Sequence, residues 1–579
     1  MDTKKVTPHE TDVLIIGSGG AGLRAALELH DQGYKVLVVG KCKKREAHTT
    51  VAQGGINAAL GTMDPEDTWE LHAADTIADG GLINDARAVE LLCQNAPQAI
   101  QELADWGVPF ARNPDGKITQ RFFGAATYRR ACFVGDITGK AILDALVDQV
   151  EQRKIPFLSE VYIFSLLDDY GVVNGALGVN LQTSEIHSFS AKAVLLATGG
   201  HSRLFRRSSS HTLENNGDGI ALAHELGAAC MDMEMFQFHP TGMISPEVAE
   251  GLLVTEATRG EGGILTNALG ERFMERYAPE KKELAARDVV ARANYLEIAA
   301  GRGTPHGGVY LDISHKPKAY ILERLPTIYE QFQKYCGIDI SQEKMEVAPT
   351  AHYSMGGLLV DHATGETGIA GLFAVGEVVA GVHGANRLGG NSLAEIMVFG
   401  RLVGKHLAES LVQKKLLPII PQKQEQKLKV FEEFTAQTAG EDPLTLMRAV
   451  QELMWEKVGV VREGKKMEAA LQELLELRKK KIAVADFSGN KDTLQIALNL
   501  RNMFPICEMI IRSALLRTES RAAHYRTDYP ALDPKWCKNI ICTPSDHSFV
   551  LSSSDVPTPS TGVQKLLKSK GQAAVHLLE

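Results

Sequence analysis

A glycine-rich segment near the N-terminus has the residue types and the spacing that bind a pyrophosphate group. It consists of Gly17, Ser18, Gly19, Gly20, Ala21 and Gly22. In this pattern the first glycine allows a tight turn, the second lets a pyrophosphate approach the backbone, and the third lets a helix pack against a strand. Because the amino end of such a helix favours negative charge, the segment predicts a dinucleotide-binding site. The alternative is a glycine-rich turn that binds nothing.

The flanking residues predict the elements that would hold this turn in place. Val13–Ile16 is a short apolar run typical of a buried strand, an alanine- and leucine-rich helical stretch follows the turn, and Tyr34–Val39 is typical of a second strand. The acidic residue that often follows this second strand and holds the ribose is missing, because Gly40 and Lys41 come next. Other groups must therefore hold the adenosine, and the pattern alone does not distinguish FAD from NAD.

Similar strand-and-turn segments recur far along the chain, so the nucleotide-binding domain is expected to be discontinuous. One strand ends at residues 197–200 (Ala-Thr-Gly-Gly), and another runs through Gly371–Glu377. Residues 425–481 are rich in Glu, Lys, Leu and Gln with helical periodicity, and the stretch after about 546 is interpreted as an irregular arm. The expected division is 1–240 and 355–425 for the nucleotide-binding domain, 241–354 for an insertion, 426–545 for a helical domain and 546–579 for the tail.

Composition and charge exclude several classes of protein. The 579 residues are 44% hydrophobic and 23% charged, as in ordinary globular proteins, and the net charge of −9 gives no basic footprint for nucleic acid. No apolar run approaches the length of a membrane span, and the first ten residues lack the apolar core of a signal peptide. The eight cysteines are scattered without Cys-x-x-Cys spacing, so no metal or iron–sulfur site is expected within the chain. We expect a peripheral protein in the cytosol or on the cytoplasmic face of the cell membrane, where a partner would hold it.

Six separate motifs occur in an order and spacing that resemble one enzyme family. They are residues 48–55 (His-Thr-Thr-Val-Ala-Gln-Gly-Gly), 238–242 (Phe-His-Pro-Thr-Gly), 255–263 (Thr-Glu-Ala-Thr-Arg-Gly-Glu-Gly-Gly), 286–288 (Ala-Arg-Asp), 350–357 (Thr-Ala-His-Tyr-Ser-Met-Gly-Gly), and 375–377 (Val-Gly-Glu) followed by 383–393 (His-Gly-Ala-Asn-Arg-Leu-Gly-Gly-Asn-Ser-Leu). From about residue 10 to 545 the chain resembles the flavoprotein subunits of succinate dehydrogenase and fumarate reductase, a family that also includes L-aspartate oxidase. The resemblance implies an α/β fold: a Rossmann-like FAD-binding domain with an inserted α+β capping domain and a C-terminal helical domain.

The resemblance also implies the cofactor, FAD, with the glycine turn on its pyrophosphate. The Gly40-Lys41 pair departs from the Ser-Lys that is more usual in the family. The remaining contacts that the resemblance implies are Lys41, His48, Thr49, Gln53, Gly54, Gly55, Asp218, Glu377, Ser392 and Leu393.

His48 distinguishes the members of the family from one another. In the succinate and fumarate members, a histidine five residues before a Gln-Gly-Gly or Glu-Gly-Gly element is bonded covalently to the flavin, and His48 stands five residues before Gln53. Aspartate oxidases lack this histidine and bind FAD without a covalent bond. The bond would raise the reduction potential of the flavin, which succinate oxidation requires because succinate is a weak hydride donor. The alternative is that His48 is a solvated loop histidine.

A dicarboxylate substrate needs cationic and hydrogen-bonding groups at both of its ends. The resemblance assigns this role to four residues: His239, Thr255, His352 and Arg387. An arginine matches a carboxylate through two parallel hydrogen bonds, and imidazoles with a hydroxyl can hold the other end and twist it. For His352 alone, the alternative is a satisfied core histidine.

Arg287 resembles the residue that transfers the proton while a hydride moves between substrate and flavin. Because arginine stays protonated in nearly all settings, the role requires a relay that resupplies the proton at once. Glu256 and Arg259 resemble that relay, and their spacing would place them on one face of a helix. Closure of the insertion would carry Thr255, Glu256 and Arg287 onto the flavin and exclude water. The alternative for Arg287 is a surface ion pair with Asp288.

Two side chains bear on the choice of substrate and direction. Aspartate oxidases carry a glutamate where this chain has Phe123, and an apolar ring would not suit the ammonium group of aspartate. Phe123 therefore favours succinate or fumarate. Gln53 stands where some fumarate reductases carry glutamate, which favours succinate oxidation only weakly.

The expected partners follow from the cysteine pattern and the resemblance. Because the chain lacks iron–sulfur ligands, an iron–sulfur subunit would take the electrons, and membrane anchor subunits would deliver them to quinone. The arginine-rich stretch Arg512–Arg526, interpreted as helical, fits a partner surface, although such charges are usually a solvated face. The alternatives are L-aspartate oxidase, a non-catalytic FAD-binding or assembly component, and a soluble fumarate reductase with its own electron-carrying domain. The absence of a haem-attachment Cys-x-x-Cys-His motif disfavours the last.

Overall fold

The computed structural model describes residues 6–210, 213–484, 491–546 and 548–570. The strands in these residues are β1 (Val6–Ile16), β2 (Val36–Val39), β3 (Ile56–Asn57), β4 (Gln120–Arg121), β5 (Ala131–Cys132), β6 (Phe157–Leu158), β7 (Val161–Asp169), β8 (Val172–Asn180), β9 (Ile186–Leu196), β10 (Cys230–Met231), β11 (Phe236–Met243), β12 (Ile264–Thr266), β13 (Val309–Asp312), β14 (Met345–Ser354), β15 (Gly357–Leu358), β16 (Leu372–Ala374), β17 (Lys538–Ser545) and β18 (Ser548–Asp555). The α-helices are α1 (Gly20–Asp31), α2 (Trp69–Asp79), α3 (Ala86–Asp105), α4 (Thr138–Gln152), α5 (Asp218–Glu225), α6 (Glu256–Gly260), α7 (Met274–Tyr277), α8 (Arg287–Glu297), α9 (Lys318–Arg324), α10 (Pro326–Cys336), α11 (Asn391–Ser410), α12 (Pro421–Thr435), α13 (Pro443–Val458), α14 (Gly464–Lys479), α15 (Lys491–Leu516) and α16 (Thr561–Ser569).

The glycine turn sits at the edge of a seven-stranded sheet. The strand order is β6-β2-β1-β9-β8-β7, and β16 also pairs with β9. Strands β6, β2, β1, β9 and β16 run parallel, so their carboxyl ends lie at one edge, where such sheets bind nucleotides. Val13–Ile16 are buried, as their apolar run predicts. Strands β9 and β16 come from distant parts of the chain, which makes this nucleotide-binding fold discontinuous.

A second, antiparallel sheet has the order β11-β14-β13-β12 and carries two of the predicted histidines. His239 lies on β11 and His352 on the neighbouring strand β14. The pairing of these strands is irregular between Gln237 and Phe238, and again between His239 and Gly242. Irregular pairing of this kind re-aims side chains at sheet edges and sites. Helix α8, which begins at Arg287, packs on β11, so this sheet also positions the predicted proton donor.

The C-terminal part is helical, as its composition rich in Glu, Lys and Leu and its helical periodicity predict. Helices α13, α14 and α15 pack against one another around buried leucines and methionines. Among the described residues, every helix falls short of the length and apolar character that crossing a bilayer requires.

The prediction of an irregular tail after residue 546 is wrong for the residues described. Strand β18 pairs with β17 over its whole length, and helix α16 follows. Most side chains of β18 are exposed, and backbone pairing with β17 holds the strand together with Phe549 and Leu551, which pack half-buried against the core. Val563 and Leu567 on α16 are fully buried against α2 and α3, and with Leu566 they form a helical i, i+3, i+4 pattern. Residues 571–579 of the predicted tail, together with His547, lie outside the described residues.

The interpretation of Arg512–Arg526 as a helical partner surface is wrong after Leu516, although Arg512 itself is helical and partly exposed. The helix ends at Leu516, and Arg517, Arg521 and Arg526 are buried, with the first two almost inaccessible. Arg517 donates to Glu234 at 2.7 Å and Arg521 to Glu519 at 2.7 Å. These arginines are structural, because buried carboxylates neutralise them.

Replacing Leu567 with alanine is expected to destabilise the docking of α16 by about 2–5 kcal/mol, because the substitution empties a fully buried site. Hydrogen exchange of the α16 amides measures the effect. Lys565→Ala, at an exposed position of the same helix, is the matched control. Exchange in Leu567→Ala that equals exchange in the control would contradict the packing.

Candidate active site

One cleft brings most of the predicted residues together. It extends from the glycine turn to the first turns of α6 and α8. Its lining includes Gly17, Ser18, Gly19, Gly20, Ala21, Lys41, His48, Thr49, Gln53, Gly54, Gly55, Asp218, Glu377, Ser392 and Leu393 from the predicted cofactor contacts, and Phe123, His239, Thr255, Glu256, Arg287, His352 and Arg387 from the predicted substrate and proton-transfer residues. Gly22 instead packs α1 against β1, and Arg259 lies behind Glu256.

The glycine turn has the close backbone approach that a pyrophosphate requires. Gly17 has φ +121°, and a β-carbon there would lie 2.1 Å from the carbonyl oxygen of Ala197. A β-carbon at Gly22 would lie 2.2 Å from the carbonyl oxygen of Gly17. Any larger side chain would therefore push helix α1 away from the sheet, and the amino end of α1 would no longer face the cleft.

Several polar atoms in the cleft wall fit a polar cofactor and an anionic substrate. Within the part of the chain that the structure describes, Gln53 Oε1, Thr198 Oγ1 and Arg387 Nε are buried without a hydrogen-bond partner. Buried polar atoms are normally paired. These three residues line the cleft, so a ligand with donors and acceptors of its own would satisfy them.

The end of the cleft beside the second strand is built around an ion pair. Lys41 Nζ lies 2.5 Å from Asp218 Oδ2. The hydroxyl of Tyr162 donates to Asp218 Oδ1 at 2.7 Å, and the Asn502 amide donates to the same oxygen at 3.1 Å. Burial and the neighbouring Asp218 carboxylate raise the pKa of Tyr162 well above its usual value. Asn502 lies on α15, so the helical part of the chain closes this end.

At the other end, Arg287 and Glu256 form a buried pair. Arg287 Nε donates to Glu256 Oε2 at 2.7 Å, and the backbone N–H of Gly124 donates to Glu256 Oε1 at 2.7 Å. Burial alone would raise the pKa of Glu256, but Arg287 and Arg259 outweigh it and hold that pKa at about 2. Glu256 is thus a carboxylate at neutral pH, held between donors.

Arg259 stands one helical turn after Glu256, as its spacing predicts. Its Nη2 lies 3.9 Å from Glu256 Oε2, and its Nη1 donates to the carbonyl oxygen of Glu283 at 2.5 Å. Burial lowers the pKa of Arg259, which Glu256 partly offsets. The three groups lie in the order Arg259, Glu256 and Arg287, with Arg287 in the cleft; a hydrogen bond joins Glu256 to Arg287, whereas Arg259 and Glu256 are within ion-pair distance only.

Gln237 joins the two cleft arginines. Its Oε1 accepts from Arg287 Nη1 at 3.1 Å and from Arg387 Nη2 at 3.0 Å. Arg387 also donates to Ser392 Oγ at 3.2 Å and stacks over the ring of Tyr353, 4.5 Å from its centroid. Burial and the adjacent charge of Arg287 lower the pKa of Arg387 to about 9. Two neighbouring cationic groups thus face one end of the cleft.

The two histidines are neutral donors or acceptors beside those charges. Their rings meet edge to face with centroids 5.1 Å apart. Burial lowers the pKa of His239 and of His352 well below the usual value, and nearby arginines act in the same direction. His352 Nδ1 lies 2.8 Å from Ser209 Oγ, and His239 Nδ1 lies 3.0 Å from the carbonyl oxygen of Thr241. In each ring the other nitrogen is therefore left for a ligand.

The remaining predicted residues complete the walls around this end. Thr255 caps helix α6 and is buried, and His48 begins a short 3₁₀ turn that also carries Thr49. Phe123 lies against Gly54, where an added β-carbon would lie 2.4 Å from the ring. The wall at Phe123 is therefore apolar and close-packed.

The sequence reasoning missed three contributors to the site. Gln237 directly precedes the Phe-His-Pro-Thr-Gly motif, and extending that motif by one residue could have found it. No sequence pattern predicts the other two groups, the backbone N–H of Gly124 and the hydroxyl of Ser209. Only the folded path of the chain brings the first to Glu256 and the second to His352.

This fold and cleft define the chain as an FAD-dependent oxidoreductase. The family model "FAD binding domain" matches residues 12–393, and the model "Fumarate reductase flavoprotein C-term" matches residues 447–565. The chain belongs to the succinate dehydrogenase/fumarate reductase flavoprotein family, which confirms the resemblance and the fold that it implied.

Individual relatives support the same assignment. A fumarate reductase (CoM/CoB) subunit of Methanothermobacter marburgensis is 45% identical, with 92% of this chain and 97% of that protein covered. The succinate dehydrogenase flavoprotein subunit of Rickettsia bellii is 39% identical, with 92% and 93% covered. The structure of the Mycobacterium smegmatis Sdh1 complex in the apo form superimposes with a TM-score of 0.86 at 38% identity, covering 96% of this chain and 96% of that one.

Proposed function

We propose that this chain is the catalytic flavoprotein subunit of a succinate dehydrogenase or fumarate reductase, and that its FAD is bonded covalently to His48. The observation that carries the proposal is the buried Arg287–Glu256 pair beside Arg387, in the same cleft as the glycine turn. The cleft thus has one end for a nucleotide and one end for a small dianion.

The charges at the closed end match a dicarboxylate. Arg387 would bind one carboxylate, and its Nε has no partner among the described residues. His239, His352 and Thr255 would hold the other carboxylate by hydrogen bonds. Because both imidazoles are neutral and buried, they can turn that carboxylate out of the plane of the carbon chain without neutralising it.

Proton transfer would run through Arg287. FAD, which the glycine turn with Lys41 and Asp218 would hold, would supply the hydride chemistry for one of the two central carbons of succinate or fumarate. In oxidation Arg287 would receive the proton of the other methylene carbon as it passes one of its own to Glu256, and in reduction both transfers would run in reverse. Glu256, 2.7 Å from Arg287 Nε, would restore the protonation state of the guanidinium, and Arg259 would connect Glu256 to the next carrier. Two electrons and two protons then balance between succinate and fumarate.

Electrons would leave toward a partner. The eight cysteines are scattered along the sequence, so an iron–sulfur subunit is the proposed acceptor, and membrane anchor subunits would carry electrons to or from quinone. The relatives include proteins named for either direction of the reaction, and the cleft residues serve both. Gln53 favours succinate oxidation only weakly. Phe123 disfavours L-aspartate oxidase, because aspartate oxidases carry a glutamate at that position.

The covalent bond is tested by denaturing the purified protein in acid, washing it, and measuring flavin fluorescence on the polypeptide. We expect flavin to stay on the wild type and to wash off His48→Ala, because the imidazole is the proposed attachment point. His306→Ala, at an exposed histidine of the inserted segment, is the matched control and should keep its flavin.

Loss of flavin from properly assembled wild-type protein would contradict the covalent bond and favour L-aspartate oxidase. Retention of flavin by His48→Ala would place the attachment elsewhere.

A further inference from the structure

The loop between β4 and β5 contributes two parts of the site. Phe123 lines the cleft, and the backbone N–H of Gly124 donates to Glu256 at 2.7 Å. The loop has no regular secondary structure of its own between Arg121 and Ala131. Its position must therefore be fixed by contacts from other elements.

Two carboxylates hold the far side of this loop. Asp75 on α2 accepts from the backbone N–H of Thr127 at 2.9 Å and from its hydroxyl at 2.7 Å. Asp64 accepts from the backbone N–H of Arg129 at 2.8 Å. Asp75 also binds the buried guanidinium of Arg130, so the loop is tied to α2 by a polar cluster.

The C-terminal helix reaches the same cluster. Lys570, directly after α16, donates to the hydroxyl of Thr127 at 2.7 Å and contacts the carboxylate of Asp75. The helix is anchored independently, because Val563 and Leu567 are fully buried and the backbone N–H of Ser560 donates to Glu90 at 2.7 Å. Lys570 is thus presented by a docked helix.

Lys570 supplies the second positive charge beside two buried carboxylates. Asp67 and Asp75 are both almost inaccessible and share Arg130, whose Nη2 lies 2.7 Å from Asp67. Without Lys570 the cluster would hold two carboxylates and one cation. An unbalanced buried carboxylate is costly, so its pairing with the loop would loosen.

We propose that α16 and Lys570 clamp the loop of residues 122–130, so that Lys570 is a positioning residue for Phe123 and for the Gly124 N–H that holds Glu256. The inference rests on the proposed function only in its kinetic test, which uses succinate as the substrate. It gives the C-terminal segment a role in the site, although Lys570 itself contacts neither substrate nor flavin.

The test compares Lys570→Met, Lys570→Arg and the matched control Lys565→Met in the full-length, flavin-loaded protein. Hydrogen exchange of residues 122–130, measured without substrate, should rise by about 10- to 100-fold in Lys570→Met, because a charge-assisted hydrogen bond contributes about 1.5–3 kcal/mol. Lys570→Arg should restore protection, and Lys565→Met should match the wild type.

Kinetics give the second readout. With succinate and a soluble electron acceptor, we expect kcat/KM of Lys570→Met to fall by about tenfold. KM should rise because Phe123, which lines the cleft, is less well positioned, and kcat should fall because Glu256 loses the fixed N–H of Gly124. Equal exchange of the loop in Lys570→Met and wild type would overturn the clamp, as would increased exchange spread over the whole chain. Increased loop exchange in a protein that neither oxidises succinate nor reduces fumarate would keep the clamp and reject the proposed function.

Discussion

Replacing Arg287 with lysine is expected to lower kcat for succinate oxidation by about 10³-fold while FAD stays bound, since positioned acid–base groups contribute about 10²- to 10⁴-fold. The guanidinium spans Glu256 at 2.7 Å and Gln237 at 3.1 Å with different nitrogens. A lysine ammonium carries the same charge on a single nitrogen and cannot keep both contacts in that geometry. Steady-state rates with a soluble electron acceptor, normalised to flavin content, measure the loss.

Arg276→Lys is the matched control for this substitution. Arg276 lies in the same inserted segment, is largely exposed, and pairs with Glu297 outside the cleft. We expect its kcat to equal that of the wild type. A kcat within threefold of wild type in Arg287→Lys would exclude Arg287 as the proton-transfer residue and leave the cleft without one.

The sequence predicts the side chains of this site that lie in contiguous motifs, but not the contacts that the backbone makes. His48, His239 and His352 lie in contiguous motifs, so their identity and spacing suffice to find them. The donor to Glu256 is a backbone N–H of Gly124, which any residue would supply, and only the path of the loop brings it there. Main-chain contacts of this kind carry no residue signature.

The errors in the C-terminal part have a similar physical origin. The arginines after Leu516 resemble a solvated face in the sequence because nothing local shows that they are buried: Glu519 is a near neighbour, but Glu234, which pairs with Arg517, lies 283 residues away. Strand β18 has no alternation of apolar residues because pairing with β17 supplies its stability. In contrast, α16 has clear helical periodicity at Val563, Leu566 and Leu567, and that signal was missed beside the serine-rich stretch.

Arg387→Gln is expected to weaken the binding of a dicarboxylate by about 10²- to 10³-fold, because truncating one partner of a buried charged pair costs about 2–5 kcal/mol. Glutamine keeps a donor but loses the charge and the two-pronged geometry. Titration of the flavin absorbance with malonate, a non-reacting dicarboxylate, measures the affinity directly. Arg401→Gln is the matched control, because Arg401 lies on helix α11, directly after the Arg387 segment, and pairs with Glu102 at 3.1 Å away from the cleft.

The two arginine variants separate binding from proton transfer when they are compared on the same protein. Both guanidiniums donate to Gln237 Oε1, so a general disturbance of this shared hydrogen-bond network would affect affinity in both variants alike. The proposed roles require a different pattern: Arg387→Gln mainly loses malonate affinity, and Arg287→Lys keeps that affinity and loses kcat. If Arg287→Lys weakened malonate binding as much as Arg387→Gln while keeping its kcat, both arginines would act in binding through their shared hydrogen-bond network, and the proton would have to travel by another route.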